Sequence, residues 1–299
     1  MEAEFHAGSV NKNGGALQLK IALPKGRFMQ DLNTIFSSLG LKLNGYDNAS
    51  RSYRPSCPSK PELFMKVFQE KDIPVQVAVG NYDLGICGSD WIEELMARYS
   101  SSSIIKIKSL GFIKGHIYAA ASLQSGMLSS GNGFKGFRLA SEYPNIAEAY
   151  ALKKHLGKFS IFPLWGSSEV YPPENADMVI LPVYNGQDLK YSGLKALERL
   201  SKIEAVMVAN SRSWAEKDLS PFLEIFSKDG FQDRADNPPT VDEKEPPQQT
   251  MGESSRFGPD MLRIALPDGH QQKGTMSLLE RAGISVSGYK QPLLNRRLS

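Results

Sequence analysis

Five short polar sequences in this chain carry residue types that could hold an anion or a sugar. They are Pro24-Lys25-Gly26-Arg27, Cys87-Gly88-Ser89-Asp90, Ser141-Glu142-Tyr143-Pro144-Asn145, Gly166-Ser167-Ser168-Glu169 and Tyr184-Asn185-Gly186-Gln187-Asp188. In the first, a glycine permits close backbone approach, two cations supply charge, and the amides of a following helix favour an anion. Taken alone it reads equally as a phosphate or carboxylate site and as a solvated turn. Ser89 and Asp90 place a hydroxyl and a carboxylate at a helix start, where capping is the simpler role. Glu142 beside Tyr143 could meet a base or a ribose, or could cap the helix expected over 146–156. The small residues around Ser167 could cradle phosphate oxygens. Cys87 ends an apolar run and reads as a buried, inert thiol. His116 and His155 have no partners at useful spacing, and the chain has no serine-nucleophile elbow, Walker-type lysine loop or GxGxxG.

These sequences need strands and helices to bring them together. Gln18–Leu23 reads as a short strand, and Phe28, Leu32, Ile35, Phe36 and Leu39 mark one helical face closed by Gly40. Further strands are expected over 63–68, 82–87, 104–110, 112–121, 137–140, 159–164, 177–183 and 203–209. Helices are expected after Ser89 and over 146–156 and 214–226. The stretch from Ile73 to Val79 fits a short helix capped by Asp72 and fits a strand as well. Such alternation gives an α/β protein with mostly parallel sheets. Ligands then bind beyond the carboxyl ends of the strands, which is where the five polar sequences fall.

Composition narrows the function classes. The chain has 299 residues, 41% hydrophobic and 22% charged, enough for about two domains and a core of real size. Thirty-five bases against 32 acids is too even a balance for a nucleic-acid surface. No apolar run is long enough for a membrane span. The opening MEAEFHAGSVNKNGG lacks the apolar core of a secretory signal. Two cysteines, Cys57 and Cys87, fit a reducing cytoplasm rather than a disulfide scaffold, and four scattered histidines argue against structural zinc. The expectation is a cytoplasmic protein that handles small molecules.

Residues 1–17 and 227–259 read as disordered; the latter holds five prolines, seven acids and four bases. Beyond it the chain repeats itself at a constant offset of 243 residues. Leu19, Ile21, Ala22, Leu23, Pro24, Gly26, Gly40, Gly45 and Tyr46 recur as Leu262, Ile264, Ala265, Leu266, Pro267, Gly269, Gly283, Gly288 and Tyr289. Residues 260–299 therefore read as a truncated repeat of the domain start, too short for a core of its own. Asp268 and His270 stand where the first copy has Lys25 and Arg27. The fold thus does not require those cations, which points the first copy toward function.

In order and spacing, the sequences IALPKGR, SRSY, DIP with YDLGICGSD, SEYPN, GSSE, ADMVILPVYNGQDLKYSGLKAL and VMVANSRSW resemble ATP phosphoribosyltransferase, the enzyme that opens histidine biosynthesis. The resemblance runs from about residue 18 to 226. It implies a two-domain fold like the type II periplasmic binding proteins: domain I over 18–113 and 201–226, domain II over 114–200, the active site in the cleft between them. It implies joining N1 of the ATP adenine to C1 of phosphoribosyl pyrophosphate, with Mg²⁺ required and pyrophosphate released. On that pattern Lys25, Arg27, Arg51, Ser89, Glu142, Tyr143 and Ser167 contact substrates, and Asn185, Gly186, Gln187 and Asp188 form the loop that wraps the 5′-phosphate. The family's loop carries two carboxylates at the positions of Leu181 and Tyr184, which this chain lacks. Each charge-assisted hydrogen bond lost there is worth ~1.5–3 kcal/mol. A non-catalytic nucleotide-binding or regulatory paralogue is therefore the alternative reading. The resemblance also implies an oligomer and, for a short form, a regulatory partner like histidyl-tRNA synthetase.

Overall fold

A computed structural model describes residues 18–50, 52–100, 103–123, 136–184, 187, 189–226, 264–267, 271–286 and 289. The expected disordered segments 1–17 and 227–259 lie outside the described residues, as do Arg51, Asn185, Gly186 and Asp188.

Apolar alternation and helical periodicity produce the expected order of elements. Strand β1 (Leu19–Lys25) is followed by helix α1 (Met29–Ser38), whose Met29, Leu32, Ile35 and Phe36 recur at helical spacing and are all buried. Then come β2 (Leu63–Gln69), a 3₁₀ turn at Glu70–Asp72, α2 (Ile73–Ala78), β3 (Leu84–Gly88) and α3 (Ser89–Arg98). A long strand β4 (Ile104–Ser122) leads to β5 (Phe137–Ser141), α4 (Pro144–Lys153), β6 (Phe159–Pro163) and β7 (Met178–Tyr184). A second long strand, β8 (Leu194–Asn210), is followed by the short helices α5 (Ser211–Glu216) and α6 (Ser220–Leu223).

All eight strands join one sheet in the order β2-β1-β3-β8-β4-β7-β5-β6. β1 pairs in parallel with β2 and β3, and β3 pairs antiparallel with β8; in mirrored fashion β5 pairs in parallel with β6 and β7, and β7 pairs antiparallel with β4. The result is two lobes of matching topology, the arrangement of type II periplasmic-binding-protein folds. β4 and β8 run antiparallel through both lobes, from Ile104 opposite Asn210 to Ser122 opposite Leu194. The two strands are therefore the covalent connections between the lobes.

One local expectation left open was decided, and two changed, in tertiary context. Ile73–Ala78 is helical, with Pro74 in the first turn, where its missing N–H costs nothing. The strands expected over 104–110 and 112–121 are one strand that continues through register shifts around Ser109–Gly115. The helix expected over 214–226 is instead the two short helices α5 and α6 with a 3₁₀ turn at Glu224–Phe226, and α5 starts at Ser211, where the Asn210 carboxamide accepts from the Arg212 and Ser213 amides.

The segment around the second copy reproduces the first at the 243-residue offset. Helix α7 (Gln272–Arg281) matches α1 end for end. Gly283 takes φ +74° as Gly40 takes +75°, closing both helices in the left-handed region. The Tyr289 hydroxyl donates to the Pro267 carbonyl as the Tyr46 hydroxyl donates to Pro24. Burial differs: Ile21, Ile35 and Leu41 are 0%, 5% and 4% exposed, whereas Ile264, Leu278 and Ile284 are 61%, 63% and 47% exposed. Local sequence suffices for the turn and the helix, and the sheet that covers the apolar face is what the copy lacks.

One buried carboxylate secures the first lobe. Asp83 accepts from the Lys20 amide at 2.9 Å, the Ser213 hydroxyl at 2.7 Å and the Lys217 ammonium at 2.7 Å. Burial alone would raise the Asp83 pKa, but these partners outweigh it and hold the carboxyl below its usual range. Asp83→Ala is expected to destabilise the chain by about 3 kcal/mol, read as a lower midpoint in urea denaturation.

Candidate active site in the cleft between the lobes

The polar sequences converge where the carboxyl ends of β1, β3, β5 and β7 face one another. At the centre is Asp90, fully buried in the first turn of α3. Arg27, from the turn after β1, places its Nη2 2.7 Å and 2.8 Å from the two Asp90 oxygens. The same guanidinium reaches Glu70 through Nη2 at 2.7 Å and Nε at 3.1 Å. Its Nη1 donates to the Tyr184 hydroxyl at 3.2 Å, at the end of β7 in the opposite lobe. Tyr143, also from the second lobe, donates its hydroxyl to Asp90 at 2.6 Å and packs against Trp91 at 4.6 Å between ring centroids.

Charge and burial fix the protonation of this cluster. Burial works against the Arg27 charge, but Asp90 and then Glu70 more than offset it, so Arg27 remains a cation. Tyr143 is pushed well above a normal phenol, by burial first and by Asp90 second, so it remains a donor. Glu70 is raised to about 7: burial dominates, Asp90 adds repulsion, and Arg27 with the Gly88 amide offsets only part of this. One guanidinium cannot fully neutralise two carboxylates, and Glu70 is the one left short.

Gly88 makes the cluster possible. A Cβ on Gly88 would overlap Asp90 Oδ1 and Arg27 Nη2 and would crowd Glu70 Oε2. The strand therefore needs glycine here for close approach, although its φ of −71° is open to any residue.

The remaining sequence-derived candidates are distributed as follows. Lys25 is exposed, with its ammonium 5.4 Å from the centre of the Tyr53 ring. Glu142 is half-buried, and its pKa is raised by burial first and by the facing Glu169 second. Ser89 is occupied by the fold: its hydroxyl donates to the Lys202 carbonyl at 2.8 Å and accepts the Glu204 amide at 3.1 Å. Ser167 takes a left-handed φ of +57° in the turn after β6. Gln187 uses its side-chain oxygen to accept the Tyr184 amide, closing its own turn. Cys87 is a buried thiol, pushed up chiefly by burial.

Three residues escaped the sequence reading as site members. Asp90 read mainly as a cap and is the centre of the cluster. Glu70 lies in a polar stretch with no motif. Glu94 accepts the Asn145 and Ile146 amides at 2.9 Å each, so α3 of one lobe caps α4 of the other in place of Glu142. A helical spacing of four between Asp90 and Glu94 was the available signal.

A two-lobed α/β protein in which a buried acid, a guanidinium and phenols from both lobes meet is the class this geometry defines. A family model described as HisG: ATP phosphoribosyltransferase matches residues 69–228. The ATP phosphoribosyltransferase of Saccharolobus solfataricus is 32% identical over 204 residues, covering 67% of both chains. That of Prosthecochloris aestuarii is 27% identical over 200 residues, 66% of this chain and 65% of that protein. Among solved structures, a chain of the ATP phosphoribosyl transferase (HisG:HisZ) complex from Thermotoga maritima matches with a TM-score of 0.58 and 24% identity, covering 70% of this chain and 96% of that one. The chain belongs to the ATP phosphoribosyltransferase family. It spans about 65% of the length of the first curated relatives it matches.

Two substitutions test the site's construction. Gly88→Ala is expected to cost about 2–4 kcal/mol by prising Arg27 from Asp90, read by chemical denaturation. Leu181, 4% exposed in an apolar cluster with Val179, Val183 and Leu194, should not accept the carboxylate its relatives are expected to carry there. Leu181→Asp is expected to cost about 3 kcal/mol or more, read the same way.

Proposed function

We propose that this chain is an ATP phosphoribosyltransferase acting at the first step of histidine biosynthesis. The observation that carries this reading is the convergence of Arg27, Asp90 and Tyr143 from both lobes in the cleft, within a chain of that family. The reaction joins N1 of the ATP adenine to C1 of phosphoribosyl pyrophosphate: the N1 lone pair forms the new bond while the C1–O bond breaks and its electrons leave with pyrophosphate. Such a displacement needs little covalent help from protein. Holding two polyanions in line and neutralising the leaving group supply most of the acceleration.

The residues divide this work by position. Lys25, exposed at the mouth, meets phosphate as a mobile point charge. Arg27 is held rigidly and offers the cleft its Nη1 edge, now on Tyr184. Glu142 and Tyr143 line the side where a nucleotide or ribose would lie, with Ser167 in the neighbouring turn. Arg51 and the Asn185–Asp188 loop complete the proposed substrate contacts. Among the described residues no group of three or more His, Cys, Asp or Glu side chains is placed to hold a metal. Mg²⁺ commonly binds through one or two carboxylates together with substrate phosphates, and the facing pair Glu142 and Glu169 fits that use, since a cation would relieve their repulsion. Bound with the substrate, Mg²⁺ would offset charge on the departing pyrophosphate.

No described helix is long and apolar enough to cross a membrane. We place the chain in the cytoplasm, working as an oligomer with a histidyl-tRNA-synthetase-like regulatory subunit; the Thermotoga maritima neighbour belongs to a HisG:HisZ complex.

A second reading has its own support. Leu181 is buried in the apolar cluster and Tyr184 occupies the Arg27 edge, so the two carboxylates of the family's phosphoribosyl loop have no counterparts at those positions. This favours a paralogue that binds nucleotide without turnover. Formation of phosphoribosyl-ATP, followed by ultraviolet absorbance with ATP, phosphoribosyl pyrophosphate and Mg²⁺, separates the two. Turnover that falls at least about tenfold in kcat/KM in Lys25→Ala, with an unchanged melting temperature, supports the enzyme. Absence of turnover with ATP still bound in calorimetry supports the paralogue.

A further inference from the structure

We propose that Glu70 is a positioning residue that sets how strongly the cleft binds polyphosphate: it fixes the Arg27 guanidinium and, while ionised, withholds that charge from the ligand. This rests on the reading of the cleft as a polyphosphate site. The geometry poses the problem directly. A site for polyanions has a central guanidinium already paired with two carboxylates, Asp90 at 2.7 Å and Glu70 at 2.7 Å, so Arg27, Asp90 and Glu70 together carry one net negative charge when all are ionised. Protonating one carboxylate makes the cluster neutral and leaves the Arg27 charge available along its Nη1 edge.

Glu70 is the less completely partnered of the two carboxylates. Asp90 receives Arg27 on both oxygens and the Tyr143 hydroxyl as well. Glu70 begins the 3₁₀ turn after β2, and the groups facing it are Arg27 from the β1 turn, Asp90, the Gly88 amide and the Cys87 thiol from β3 and α3, and the Tyr46 phenol. The thiol and the phenol remain neutral under the same burial, so Arg27 and the Gly88 amide are the main groups that stabilise its carboxylate. Its shift to about 7 accords with that shortage and places the change within the working range of a cytoplasmic protein. Affinity for a polyanion is then highest below this value and falls as pH rises through it.

The test measures inorganic pyrophosphate binding by calorimetry to the full chain and to Glu70→Gln, which keeps an oxygen to accept from Arg27 and removes the charge. At about pH 8.5 the Gln variant is expected to bind about tenfold more tightly than the unsubstituted chain, and at about pH 5.5 the two should bind alike. Pyrophosphate's own ionisation is common to both and cancels in the ratio. A ratio that does not change with pH, or weaker binding by the Gln variant at the higher pH, overturns the proposal while leaving the cleft a polyphosphate site. No binding by either protein at either pH overturns the site reading as well. The unsubstituted chain gives an independent readout if the variant folds poorly. Because the folded pKa of Glu70 is raised from 4.5 to about 7, its contribution to stability is present below the lower value and lost as pH rises through the upper one. A Glu70 carboxyl carbon resonance titrating near its ordinary value, with pyrophosphate absent, overturns the proposal without any substitution.

Discussion

The structure turns on one buried carboxylate. Asp90 has no contact with water, yet it accepts from Arg27 in its own lobe and from Tyr143 in the other. An unpaired carboxylate at this depth would cost several kcal/mol, so removing either partner penalises the whole cluster. Arg27 in turn brings in Glu70 and Tyr184, and Gly88 must lack a side chain for these groups to meet. The same helix that presents Asp90 presents Glu94, one turn later, to the amides opening α4. The two lobes are thus joined by polar contacts whose donors and acceptors are specified atom by atom.

The sheet determines how those contacts can arise. β4 and β8 each begin in one lobe and end in the other, so the lobes are joined by one antiparallel pair of strands. Their buried polar ties sit near the crossing: Glu204 accepts from Ser109 at 2.7 Å and from the ammonium groups of Lys106 and Lys202 at 3.1 Å each, while Ser89 anchors the start of α3 to the β8 backbone. These partners outweigh burial and keep Glu204 below the ordinary carboxylate range. A motion of one lobe against the other must pass through these two strands, whose pairing shifts register between Ser109 and Gly115.

The second copy of the β1–α1 sequence separates local from tertiary causes within one chain. Its helix has the same ends, its glycine the same left-handed φ, and its tyrosine the same bond to a proline carbonyl. Those features follow from residues within one copy, at most 22 positions apart. The burial of Ile21, Ile35 and Leu41 does not recur at Ile264, Leu278 and Ile284, because it comes from strands that the first copy pairs with and from the rest of its lobe. Sequence identity at nine positions thus reproduces a conformation without reproducing a core.

Periodicity and turn residues alone determined the order of elements, the α/β class and the placement of the polar sequences at strand ends, because alternation and capping act over only a few residues. The family was legible too, from ordered motifs rather than from any single one. Tertiary structure decided which of those polar residues form a site. It assigned Ser89 to the β8 backbone and Gln187 to its own turn, and it recruited Glu70, which no motif marked. It also decided that Asp90 is a centre and not a cap, and that Ile73–Ala78 is helical where alternation permitted a strand. For the charged cluster the physical reason is long range. Desolvation and charge pairing depend on atoms 43 to 63 residues apart in the chain, as Arg27 is from Glu70 and Asp90, and no local pattern records that distance.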